Sequence, residues 1–317
     1  MEQDFRLFDW EGNLLCNVNH WKSLDWQLLF NDVGTFEGHF APESKVGPVV
    51  FTHPYLIAVH GDRQAIITGY QAGEELAVYG RQLNWILTRN TAEPFEELTA
   101  TAEAHARRMV QAGMAHAACF ELGAEAGYTA EVLYTLDKYT QLFKAVQEVL
   151  ELDGGGHRVS FDVKTARWKF EAVRGTVRQK LLSSAYNAYQ FAVSYDMLSY
   201  YNAGWYEQEP PEPAEGEEKG DPVWTHIGGD QTGIYQFNTV LSGKTLSEAE
   251  TDLAKNAIQK QYSALVRNLT FGEDYALGDT LRIQCVLGQF RETIERKVAG
   301  VNLSYSTEFE QEPILTE

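Results

Sequence analysis

The sequence predicts a β-rich α+β fold, with helical segments inserted between groups of strands. Three observations predict it. Through the first ninety residues, short apolar stretches recur about every ten residues with glycine-containing turns between them. Two later stretches repeat apolar residues at helical spacing, and alternating runs resume after Gly154-Gly155-Gly156.

Taken in order, Phe5–Trp10 and Leu14–Val18 flank the turn Glu11-Gly12-Asn13 and read as a hairpin. Trp26–Phe30 is strand-like, and Val33–Phe36 opens another extended run ending at Ala41-Pro42. Tyr55–His60 and Ala65–Tyr70 pair across Gly61-Asp62-Arg63, and Leu76–Tyr79 adds a strand closed by Gly80. This spacing fits a small barrel or sandwich. Leu83, Ile86 and Leu87 then fall at helical spacing before Pro94. Phe95–Val110 is expected to be a helix with Ala102, Ala106, Met109 and Val110 as its stripe, and Tyr139–Leu152 a second, stopped by the glycines after Asp153. Arg158–Val163 and Trp168–Ala172 alternate with period two and form an antiparallel hairpin. The tyrosine-dense stretch 181–206 has no clear assignment. Val223–Ile227 and Ile234–Leu241 read as strands, Leu246–Val266 as the longest helix, and Leu281–Leu287 and Ile294–Val301 as closing strands. The organisation expected is a first β domain over 1–90, a helical or α+β insertion over 91–155, a second β domain over 156–245, and a helix with closing strands and an acidic tail over 246–317.

Composition narrows the function. The chain has 317 residues, 44% of them apolar, which is enough for a real core. Its net charge of -19 repels polyphosphate, so specific nucleic-acid binding is not expected. Residues 206–221 place seven acids against Lys219 alone among Pro210, Pro211 and Pro213, and 207–221 is expected to be a disordered acidic loop. The most hydrophobic region, 46–60, is broken by Pro48, His53 and Pro54, and Met-Glu-Gln-Asp has the wrong charge for a signal peptide. A soluble chain with no membrane insertion is expected. Cys16, Cys119 and Cys285 form no C-x-x-C pair and read as small buried hydrophobes.

No catalytic, cofactor-binding or metal-ligating residue emerges. Asn238-Thr239-Val240-Leu241-Ser242-Gly243-Lys244-Thr245 ends like a phosphate-binding loop, but Asn238 stands where the first glycine is needed. Thr245 and Glu248 instead have the spacing of a helix capping box. His60-Gly61-Asp62 lacks a third ligand for zinc. Paired carboxylates about 5–10 Å apart would serve glycoside hydrolysis, but 45 acids give no power to choose a pair. Seven Trp and sixteen Tyr could supply sugar-stacking platforms, although β-rich cores and interfaces also use them.

One ordered set of segments carries more. It runs from Phe30-Asn31-Asp32-Val33-Gly34-Thr35-Phe36-Glu37 through Tyr55–Val59 and Ile66-Ile67-Thr68-Gly69-Tyr70 to Leu76-Ala77-Val78-Tyr79-Gly80-Arg81-Gln82-Leu83 and Ile86-Leu87-Thr88-Arg89. With the hairpin of 155–172 and Tyr275-Ala276-Leu277-Gly278-Asp279-Thr280-Leu281, it resembles the tail-hub (tail-associated, Tal-like) family of tail-tip and baseplate proteins in long-tailed phages and phage-derived particles. Gly34, Gly69 and Gly80 would permit bulges or close approach, and Gly278-Asp279 a turn, so the shared residues are scaffold.

The resemblance implies two β-barrel-like, tail-tube-type domains with inserted helical or α+β domains. It also implies a non-enzymatic homotrimer ringing the DNA or effector channel. Its partners would be a hexameric distal tail or tail-tube protein, a central spike or fibre protein and the tape-measure protein, in a virion assembled in the bacterial cytoplasm. No cofactor is expected. The alternative is a carbohydrate-binding or carbohydrate-cleaving tail or surface protein.

Overall fold

The computed structural model describes residues 4–195, 197–208, 221–229, 233–258 and 260–316. These residues form two compact units, the larger from 1–191 with 263–317 and the smaller from 192–262. Most of the acidic loop expected over 207–221 falls on 209–220, outside the described residues.

The first strands follow the sequence pattern. β1 (Phe5–Phe8) pairs with β2 (Leu14–Val18) and with β5 (Ile57–His60). β3 (Ser23–Leu29) pairs with β4 (Thr35–Phe40), and β4 with β7 (Leu76–Gln82). The hairpin of β5 and β6 (Arg63–Ala72) closes tightly, with His60 opposite Arg63. The short helix α1 (Val46–Thr52) occupies the broken apolar stretch. Its Pro48 stands in the first turn, where a missing N–H costs no intrahelical bond.

These strands belong to one 13-stranded sheet, in which the strand Phe290–Tyr305 joins two halves. Its first part pairs with Thr280–Leu287, which in turn takes Val177–Ser183 as a parallel neighbour. Its last part pairs with β3 on one side and Phe309–Thr316 on the other. The two β groups are therefore continuous, and no closed barrel forms among the described residues.

Two hydrophobic cores lie against this sheet. Phe5, Trp26, Phe36 and Phe40 with Leu24 and Val301 form an aromatic core, Phe5 stacking on Phe36 at 5.6 Å between ring centroids. The other core joins Phe8, Ile57, Val59 and Ile66 to α2 (Ala102–Gly113), α3 (Leu142–Glu151) and the hairpin Gly156–Asp162/Arg167–Val173. With one core on each face, β5 is buried at every position, so its sequence is an unbroken apolar run up to His60 instead of an alternation.

Several expectations fail for identifiable reasons. The predicted helix Phe95–Val110 begins only at Ala102. Phe95–Thr101 is a strand paired with Glu131–Leu136, as suits its β-branched Thr99 and Thr101, and Thr101 caps α2 by accepting the Ala104 N–H at 3.1 Å. The predicted long helix Leu246–Val266 ends at Lys255, so α4 (Leu246–Lys255) is followed by the strand Lys260–Val266, where Tyr262, Ala264 and Val266 are buried at period two. Ile234–Leu241 resolves into a 3-10 turn, Gly233–Tyr235, and the strand Asn238–Val240. Leu83–Arg89 is a 3-10 helix. The unassigned tyrosine-rich stretch contains the strands Ala188–Tyr195 and Ala203–Gln208. The acidic C-terminal segment includes the strand Phe309–Thr316, and Cys119 is exposed while Cys16 and Cys285 are buried. No helix among the described residues is long and apolar enough to cross a membrane.

Candidate functional site

The motif residues singled out in the sequence are joints of the scaffold. A Cβ on Gly34 would collide with the carbonyl oxygen of Gln27, so β3 and β4 approach only because that position is glycine. Asn31 beside it, with φ of 55°, accepts a hydrogen bond through Oδ1 from His157 Nδ1–H at 2.8 Å. Its Nδ2 donates to the Gln147 carbonyl at 3.2 Å, tying the sheet to α3. Burial drives the His157 pKa down to about 3, so its ring is neutral.

The second joint is Gly278-Asp279. Gly278, at φ of 84°, packs under the Phe30 ring. Asp279 accepts from the Thr176 N–H at 2.8 Å, the Ala276 N–H at 2.8 Å and Arg178 Nε at 2.6 Å. Burial opposes its ionisation, but these donors outweigh it and hold the carboxyl below the ordinary aspartate range. This turn fastens the start of Val177–Ser183 to the start of Thr280–Leu287.

The loop resembling a phosphate cradle is filled by the chain's own carboxylates. Glu248 accepts from the Lys244 and Thr245 N–H groups at 2.8 and 3.0 Å, completing the capping box expected from the sequence. Asp252 accepts from the Ser242 and Gly243 N–H groups, both at 3.1 Å. Amides that would face a phosphate are thus already bonded. His60 is buried, and Asp62 pairs with Arg63 at 3.2 Å. Among the described residues, no group of three His, Cys, Asp or Glu side chains could hold a metal ion.

Two surfaces stand out by their charge and their exposed rings. In the larger unit, register places Glu310, Ser304, Asp25 and Glu37 in one row across four strands, with Glu312, Asn302, Gln27 and Thr35 in the next. His39 extends this acidic band, its two ring nitrogens 2.9 Å from Glu37 and 3.0 Å from Glu75. Partial burial lowers its basicity, but the two carboxylates prevail and its pKa is raised. In the smaller unit, α4 covers one face of the sheet formed by Ala203–Gln208, Val223–Gly228 and Asn238–Val240, where Tyr206, Leu241 and Ala249 are buried. Trp205, Trp224 and Val240 are exposed; Trp205 lies opposite both His226 and Val240, and Glu207 opposite Trp224.

The architecture corresponds over its whole length to known structures. The tail protein from Neisseria meningitidis MC58 superposes with a TM-score of 0.64, covering 100% of this chain and 97% of that one at 13% identity. The chain has a phage tail protein fold. The 43 kDa tail protein of prophage MuSo2 from Shewanella oneidensis gives a TM-score of 0.59 at 9% identity, with 99% and 98% of the two chains covered. Prophage tail protein gp18 from Listeria monocytogenes EGD-e also gives 0.59 at 9% identity, with 99% and 94% covered. No sequence-family profile and no curated protein sequence matches the chain. Asn31 and Asp279, both within the sequence motifs, and His157, which sequence reasoning did not single out, sit at the scaffold joints.

Proposed function

We propose that the chain is a non-enzymatic structural subunit of a phage tail tip or baseplate. In this reading, copies form a ring, a homotrimer, between a hexameric tail-tube or distal tail protein and a central spike or fibre, with the tape-measure protein reaching the same junction. The observation that carries it is the near-complete mutual coverage with a phage tail protein, 100% of one chain and 97% of the other. The acidic band of Asp25, Glu37, Glu310 and Glu312 supports an assignment of that sheet face to the channel wall, because a wall passed by DNA should repel phosphate. The exposed Trp205 and Trp224 support a protein contact for the smaller unit, since aromatic side chains are enriched at interface centres.

Tagging the chain in its native host and imaging the labelled particles tests this. Label at the distal end of a tail, at about three copies per particle, is expected. A monomeric chain absent from particles would overturn the reading.

A further inference from the structure

The larger unit contains a cavity of about 570 Å³ that neither the scaffold joints nor the proposed ring requires. It lies at one end of the aromatic core, where the turn after β5 and the turn after Phe290–Tyr305 approach each other. These strands are not neighbours in the sheet, so the lining is drawn from separate parts of it.

Its lining joins aromatic rings to a set of polar groups. His60 touches Trp21 edge-on at 5.4 Å and Tyr305 edge-on at 4.5 Å, and Tyr305 continues to Phe309 at 4.7 Å. His60 itself is buried, so it acts as the spacer that fixes Trp21 and Tyr305. Phe309, 49% exposed, brings the row of rings to the surface. The guanidinium of Arg63 lies 5.5 Å from the Tyr305 ring centre and pairs with Asp62 at 3.2 Å. Asn19, Thr270, Ser306 and Glu308 complete the wall.

We infer that this cavity binds a short saccharide, one or two hexose units long. Phe309 offers a half-exposed apolar ring beside the polar groups of the lining, the pairing that the ring face and hydroxyls of a sugar fit. The volume falls within the usual range for small-molecule sites, about 300–1,000 Å³. Polyphosphate is a poor fit, because Asp62 pairs with the one arginine of the lining, Glu308 lines the same cavity and the chain carries -19. A lipid would leave the many polar groups desolvated and unpaired. A sugar would present an apolar ring face to Phe309 while its hydroxyls accept from Arg63 and Asn19 and donate to Glu308.

The test uses the purified full chain with chitobiose, cellobiose, maltose and glucuronic acid as probes, read by saturation-transfer NMR and tryptophan fluorescence. Saturable binding of at least one probe is expected, weakened at least tenfold by Phe309→Ala and by Arg63→Gln. Phe309→Ala alters an exposed side chain, so its circular dichroism should match the parent protein and keep the test valid if Arg63→Gln does not fold. No saturable binding of any probe, or binding unchanged in Phe309→Ala, would overturn the site. Neither result bears on particle labelling, so the ring and the saccharide site can fail separately.

Discussion

The two units cover their sheets by unequal means. The larger encloses Phe5, Trp26, Phe36 and Phe40 in one core and packs two helices over a second. The smaller has a core of Tyr206, Leu241 and Ala249, with Ile227 and Leu253 partly buried against it, and leaves Trp205 and Trp224 exposed. It also carries twelve acids against four lysines between residues 192 and 262. Apolar burial scales with core size, so a small unit has little to set against its conformational entropy. The contrast separates a self-sufficient scaffold from a unit whose order depends more on its caps and contacts.

Core truncation should break the comparison most visibly. Trp26→Ala, at a fully enclosed ring, is expected to cost about 4 kcal/mol and lower the global melting transition. Tyr206→Ala should instead release amide protection within 192–262 while protection of β1–β7 persists. Hydrogen exchange resolved by residue distinguishes the two. Equal loss everywhere in both variants would show a single cooperative unit.

Acid should act on the larger unit first. The His157 pKa is about 3 when folded and near 6.5 when unfolded, so the unfolded state binds the extra proton between those values. Stability therefore falls as pH drops through that window, by about 2 kcal/mol between pH 6.5 and pH 5 from this group. His157→Gln should flatten that part of the profile in denaturant titrations, whatever its effect at pH 7. An unchanged slope would mean that another group carries the acid response.

A smaller effect belongs to the cap of α4. Thr245→Ala removes the hydroxyl that accepts from the Glu248 N–H at 3.3 Å, and should cost about 1 kcal/mol. Faster exchange confined to α4 and its sheet is expected. Loss of protection across the aromatic core would contradict the independence of the units.

The same contrast explains what the sequence made legible. β1–β7 were readable because turns and apolar stretches recur together, and Thr245/Glu248 because a capping box is a local code. Phe309–Thr316 was hidden because Glu310 and Glu312 give it the look of a tail, although Gln311, Pro313 and Leu315 are buried at period two. The overlong reading of α4 arose because apolar residues from Leu253 to Val266 can be fitted to either period over short spans. The saccharide cavity could not be seen at all, since Trp21, Arg63 and Tyr305 meet only through sheet topology. The resemblance implied two barrel-like domains, whereas Phe290–Tyr305 runs through both strand groups and makes one continuous sheet.

The smallest stability effect is the most informative about the exposed face. Trp224 is 50% exposed and lies on the sheet face opposite α4, so Trp224→Ala should change folding stability by less than about 0.5 kcal/mol. If this face contacts another tail component, the same substitution should reduce incorporation into particles severalfold, because buried aromatic anchors dominate interface energetics. The acidity of the smaller unit favours a partner surface with basic residues around the apolar contact, and raising ionic strength should then weaken association of the parent chain. Normal incorporation of Trp224→Ala together with Trp205→Ala would remove this face from the assembly. Loss of incorporation with unchanged melting would separate the face's two possible roles, since a side chain that stabilises the fold cannot be deleted without a thermal cost.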